Sequence, residues 1–136
     1  MTQTEKELLL RDLCARLPYS IKASYYGADE ECETWDEVDG VAFDYVEIGQ
    51  YSLPIERIKP YLFPLSSMTE EQKKYISNKW GINEEFDFEI DPNWGEYFVE
   101  LGDIVDFIDW LNKNHFDYRG LIDKSLALDA TGLNIY

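Results

Sequence analysis

Seven residues in the second half of this chain alternate strictly: Glu85-Phe-Asp-Phe-Glu-Ile-Asp91, acids at the odd positions and large apolar residues between them. Successive side chains of a strand point to opposite faces. Strict period two therefore specifies a half-buried β-strand with carboxylates (Glu85, Asp87, Glu89, Asp91) along its wet side. Antiparallel pairing allows a sheet with one solvated face, and the helical patterns elsewhere then require an α+β domain. Pro92 ends the strand, Asn93-Trp94-Gly95 reads as a turn, and Tyr97–Leu101 reads as a further short strand.

Three segments carry helical signals. Thr4 to Leu17 opens with capping-box spacing (Thr4, Glu7), places Leu10, Leu13, Cys14 and Leu17 on one stripe, and stops at Pro18. That stripe predicts a buried Cys14 thiol. A second helix is expected from Thr69 to Trp80, capped by Thr69 with Gln72 and closed by Gly81. A third runs from about Asp103 to Asn114. There Ile104, Phe107, Ile108 and Leu111 point inward, and Asp103, Asp106, Asp109 and Lys113 outward. Between the first two helices, strands are expected near Ile21–Tyr26, Glu33–Val38 and Val41–Ile48. Turns fall at Gly27–Asp29, at the hairpin-prone pair Asp39-Gly40 and at Gly49–Gln50. Pro54, Pro60 and Pro64 each deny a ladder its donor, so Ile58–Leu65 is expected as loop or sheet edge. The result is one α+β domain over residues 1–136: an N-terminal helix, an antiparallel sheet and two further helices packed on it.

The charge is regional. Nine carboxylates between Asp29 and Glu47, and ten between Glu84 and Asp109, occur with no Lys or Arg among them, and the chain's formal charge is −16. Phosphate binding uses clustered cations, so direct nucleic-acid binding and adhesion to anionic lipid are disfavoured. A partner protein with a basic face is favoured; a solubilising coat is the plainer account of the same acids. No stretch is apolar over the roughly 20 residues of a membrane span, and Met1–Glu7 lacks the form of a secretory leader, so a cytoplasmic location is expected.

Catalytic patterns are sparse. The lone histidine, His115, has no nucleophile beside it, and its place after the third helix suits packing or a dipole contact. Asp91-x-Asn93-x-Gly95 misses the calcium-loop pattern by one glycine, and phosphate-loop and zinc spacings are lacking, so no metal or cofactor is expected. A carboxylate-lined enzymatic cleft is the alternative from another class, and a structural role in particle assembly is a third. Mimicry is the sharper idea. Acids on one strand face repeat every ~6.6–6.8 Å, close to the spacing of phosphates along a DNA strand, and Asp103, Asp106 and Asp109 would extend that charge. Past the third helix, Trp110, His115, Phe116, Tyr118 and Arg119 form an aromatic patch with a cation. It is either a packed cap, with Arg119 paired to Asp117 or Asp123, or a partner-binding anchor built on Trp110, Tyr118 and Arg119.

Three strings, Leu10-Arg-Asp-Leu-Cys-Ala-Arg-Leu-Pro-Tyr19, Lys59-Pro-Tyr-Leu-Phe-Pro-Leu-Ser-Ser-Met-Thr-Glu-Glu-Gln72 and the ending from Asp109 to Tyr136, resemble a family of small proteins. That family is common in phages, prophages and mobile elements of gut anaerobic bacteria. The resemblance covers somewhat under half of the chain and is most specific in the last string. It implies a setting, the bacterial host cell, and no mechanism. Residues and resemblance together lead to the expectation of a non-enzymatic acidic binding protein. It would be an accessory protein that acts on a cationic protein surface, as a nucleic-acid mimic or as an inhibitor of a host system.

Overall fold

A computed structural model describes residues 1–26, 33–81 and 101–136. The first helix, α1 (Gln3–Arg16), is capped by Thr2 and Glu5, each side chain bonding the other's backbone N–H at 3.1 and 3.2 Å. The capping box thus sits two residues ahead of the expected Thr4/Glu7 pair, which has the same spacing. The buried stripe also differs. Leu9, Asp12, Leu13 and Arg16 face inward, whereas Cys14 is exposed, so the thiol expected in the core lies in solvent. Leu13 of the expected stripe is buried and Leu10 and Leu17 pack against the same core, but the expectation admitted only apolar residues and so put Cys14 inside. The real stripe contains an acid and a base that bond each other.

The sheet has six strands in the order β4-β3-β2-β1-β5-β6: β1 (Lys22–Tyr26), β2 (Glu33–Ala42), β3 (Tyr45–Ile48), β4 (Tyr51–Pro54), β5 (Ile58–Leu62) and β6 (Leu128–Asp129). All neighbours are antiparallel except β5 and β6. A parallel partner needs a long crossover, and the two helices between β5 and β6 supply it. Asp39-Gly40 does not turn the chain. Gly40 lies within β2, where the register with β3 shifts between Val38 and Gly40, and the hairpin closes at Phe43-Asp44. The local signal was absorbed by a bulge, which admits an extra residue and twists the strand.

Pro60 also departs from expectation. It sits inside β5, opposite Ala23 of β1, in a strand with neighbours on both sides. The ladder with β6 begins only at Tyr61, so at Pro60 the sheet is continued on one side alone and the missing donor is tolerated.

The second helix, α2 (Glu70–Trp80), has the expected caps: Thr69 with Gln72 at its start, and Gly81 at φ 72° at its end. The third, α3 (Leu101–Lys113), begins at Leu101, so that residue is helical and not the end of a strand. The expected strand Glu85–Asp91 and residues 97–100 of the other lie outside the described residues, as do the turn at Gly27–Asp29 and Cys32.

Two clusters exclude water. One joins α1 to the inner sheet face through Leu9, Leu13, Ile21, Val46, Ile48, Ile58 and Leu62. The other gathers Met68, Ile76, Phe107, Leu111 and Phe116, with Trp80 and Trp110 packed on them. The architecture is α+β, and among the described residues no helix is long and apolar enough to cross a membrane.

Candidate functional site

Between the two clusters lies a buried ion group that determines where the C-terminal aromatics go. Asp12 and Arg16, one helical turn apart on α1, are both 0% exposed. Arg16 donates from Nε and Nη2 to the two Asp12 oxygens at 2.9 and 3.1 Å, and from Nη2 to the Phe116 carbonyl at 2.6 Å. Arg119 comes from the far end of the chain to place Nε 3.3 Å from Asp12 Oδ1. Its Nη2 donates to the Tyr118 hydroxyl at 3.2 Å, and that hydroxyl donates to Asn112 Oδ1 at 2.9 Å. Arg16 also lies over the Tyr118 ring, 5.3 Å from its centroid. The expected partners of Arg119 were Asp117 or Asp123. Asp117 is instead taken up by the backbone, accepting from Leu121 N and Ile122 N at 2.9 Å each.

Trp110 is half-buried and packs against the second cluster. Its ring stacks on Phe107, Phe116 and Tyr75 at 6.2, 5.7 and 5.7 Å. The aromatic patch therefore packs inward, and Trp110, Tyr118 and Arg119 meet the rest of the fold.

His115 is 8% exposed, left-handed in backbone (φ 61°), and stacked on Tyr136 at 3.7 Å. Burial, helped by the Arg16 charge, lowers its pKa to about 4, so it is neutral at physiological pH and offers the α3 terminus no cation. Packing is its role there. Tyr136 ties the end of the chain across the sheet: its hydroxyl accepts from Lys22 N at 3.0 Å and donates to the Tyr61 carbonyl at 2.8 Å. Burial raises its pKa well above the usual phenol range.

Two cavities adjoin these residues. One of about 330 Å³ is lined by Phe63, Thr69, Gln72, Lys113, His115 and Tyr136 among others. Thr69 and Gln72 already bond each other's amides there. The second, about 300 Å³, holds Asp117, Asp123 and Asp129 and is the nearest thing to the expected carboxylate cleft. Asp117 is engaged as described, and Asp129 Oδ1 accepts from Thr131 N at 2.8 Å. These two acids organise turns.

The outward acids are arranged differently. Asp106 and Asp109 are exposed on α3 and Asp103 is half-buried, at spacings that make them surface neighbours. Glu85, Asp87, Glu89 and Asp91 lie outside the described residues. In the first acidic run, register divides the charges between faces. Glu37, opposite Lys22, and Asp36, opposite Ala23, point to alternate faces of β2; Glu37 is half-buried, and Asp36 is exposed beside the Gly49 turn. Asp39, Asp44 and Glu47 surround the β2–β3 hairpin and are exposed.

That hairpin is what sequence reasoning missed. Phe43 stands at its tip, 89% exposed with φ 52°, and Tyr45 beside it is 52% exposed. No turn propensity places a phenylalanine in a left-handed turn position, and the Asp39-Gly40 signal drew attention away from it. The described residues thus form an α+β fold with a mixed sheet, a buried ion group, and exposed acids on α3 and the β2–β3 hairpin. Comparison with protein-family models, curated proteins and solved structures finds no match.

Proposed function

We propose that the protein is a non-enzymatic binding protein that presents carboxylates to the cationic face of a partner protein. In the setting the resemblance implies, that partner is a host or phage protein, and a nucleic-acid-binding one would be blocked by phosphate-like charge. One observation carries the reading: acids on α3 and on the β2–β3 hairpin stand exposed, while several of the chain's Lys and Arg residues are engaged within the fold. Arg16 and Arg119 hold Asp12, Lys6 pairs with Glu56, and Lys22 donates to the Ile135 carbonyl while lying over Trp35. Asp44, Glu47, Asp106 and Asp109 meanwhile face solvent. Exposed like charges raise the negative potential, which steers a basic partner and repels nucleic acid and anionic lipid, even with Lys113 one turn from Asp109.

The test is affinity capture from bacterial lysate at low and high salt, with the wild type and with Asp44→Asn/Glu47→Gln/Asp106→Asn/Asp109→Asn as baits. A specific basic partner, lost at high salt and depleted with the variant, supports the reading. Nothing specific at either salt would reduce the acids to a solubilising coat.

A further inference from the structure

The β2–β3 hairpin combines features that folding does not require. Its two-residue turn, between the paired residues Ala42 and Tyr45, places a phenylalanine at φ 52°, where glycine or asparagine sits without strain. The same side chain is 89% exposed, although burying an aromatic ring is among the larger stabilising contributions available to a fold. Register sets Tyr45 opposite Ala42 and Pro54, on the sheet face away from the core residues Val46 and Leu53. Two aromatic side chains therefore project from one tip, with small neighbours beside them. Around them stand the exposed acids Asp39, Asp44 and Glu47; the sequence has no Lys or Arg between Lys22 and Arg57, and the Lys6 that comes within electrostatic reach of Asp44 is already paired with Glu56.

We propose that this hairpin is the docking element. Phe43 and Tyr45 enter an apolar pocket on a partner protein, and Asp39, Asp44 and Glu47 meet Lys and Arg residues around that pocket. The inference rests on the acidic-binding reading above and assigns it a contact point. Charge selects the occupant. A membrane surface rich in anionic lipid and a second copy of this chain both present negative charge to the three acids, whereas a basic-rimmed pocket matches them. Interfaces of this kind concentrate binding in one or two aromatic anchors inside a polar rim.

The test uses the full chain, ¹⁵N-labelled, and two synthetic probes at low salt: a ten-residue oligolysine and an amphipathic helical peptide of Lys and Leu. The amphipathic peptide is expected to bind more tightly, with amide shifts centred on Val41–Val46. Phe43→Gly is expected to weaken that peptide about tenfold, leave oligolysine unchanged and raise Tm, because glycine relieves the left-handed turn. This opposite movement of affinity and stability separates an anchor from a structural residue. Shifts centred on Asp103–Asp109, with Phe43→Gly binding as the wild type, would overturn the hairpin assignment and leave the acidic-binding reading standing. Loss of Tm in Phe43→Gly would also overturn the assignment, by making Phe43 part of the fold. Hairpin shifts produced by anionic vesicles, or by protein concentration alone, would overturn the basic-pocket occupant. Binding of neither peptide would overturn both readings.

Discussion

The two halves of this molecule exclude water with different materials. On the sheet side the core is mainly aliphatic, with β-branched Ile21, Val46, Ile48, Ile55 and Ile58 from the sheet and its connections packed with leucines such as Leu9, Leu13 and Leu62. The β-branched side chains suit a pleated surface, and the volume is divided among many residues. On the helix side a few rings do the same work: Trp80 meets Phe107 edge-on at 5.1 Å, and Trp110 stacks between Phe107 and Phe116. The aliphatic half distributes its packing, so no single truncation removes much of it. The aromatic half concentrates packing, so one ring can carry a large share. Asp12, Arg16 and Arg119 lie between the halves and tie residues from both ends of the chain to one carboxylate.

This contrast can be broken in order of expected effect. Asp12→Ala leaves Arg16 buried without its counter-charge and is expected to cost about 3–5 kcal/mol. Far-UV and near-UV circular dichroism should be lost together in a denaturant titration, because both halves depend on that carboxylate. Separate transitions would show that the ion group does not join them. Phe107→Ala, in the aromatic half, is expected to cost about 4–5 kcal/mol, against about 2–3 kcal/mol for the matching truncation Ile48→Ala in the aliphatic half. Thr69→Ala should cost about 1 kcal/mol through loss of the α2 cap, measurable by the same titration.

His115 gives the comparison a pH axis. Its folded pKa of about 4 lies below the ordinary 6.5, so between those values the unfolded chain binds a proton that the folded chain does not. Its contribution is full above about pH 6.5 and is lost as pH falls towards 4. His115→Asn keeps a residue that tolerates the left-handed backbone, and should flatten that limb of the stability profile. An unchanged limb would assign the acid sensitivity to carboxylates instead.

The parts of the fold legible in sequence were those whose signals are local. The α2 caps depend on Thr69, Gln72 and Gly81 alone, and the inward face of α3 on the spacing of Phe107 and Leu111. Tertiary pairing hid the rest. Asp12 and Arg16 sit on the Leu9/Leu13 stripe at i,i+4, a visible sign that α1 buries an ion pair, yet an apolar-only stripe passed over them and misplaced Cys14. Pro60 looked incompatible with an inner strand because the short reach of β6 is a property of the sheet, not of the sequence around the proline. Of the candidate site, exposure of Asp106 and Asp109 followed from helical periodicity. The inward role of Arg119 required knowing that Asp117 caps a turn, and Phe43 broke the rule that would have found it.

The central claim is that the outer carboxylates, and not the packed C-terminal aromatics, engage a basic protein. It is tested most directly by measuring Kd for the captured partner across a salt series, for the wild type and for a variant that neutralises both exposed acidic groups, Asp44→Asn/Glu47→Gln/Asp106→Asn/Asp109→Asn. The account predicts affinity that falls steeply with salt in the wild type and less steeply in the variant. Affinity independent of salt, or equal slopes for the two proteins, would contradict it.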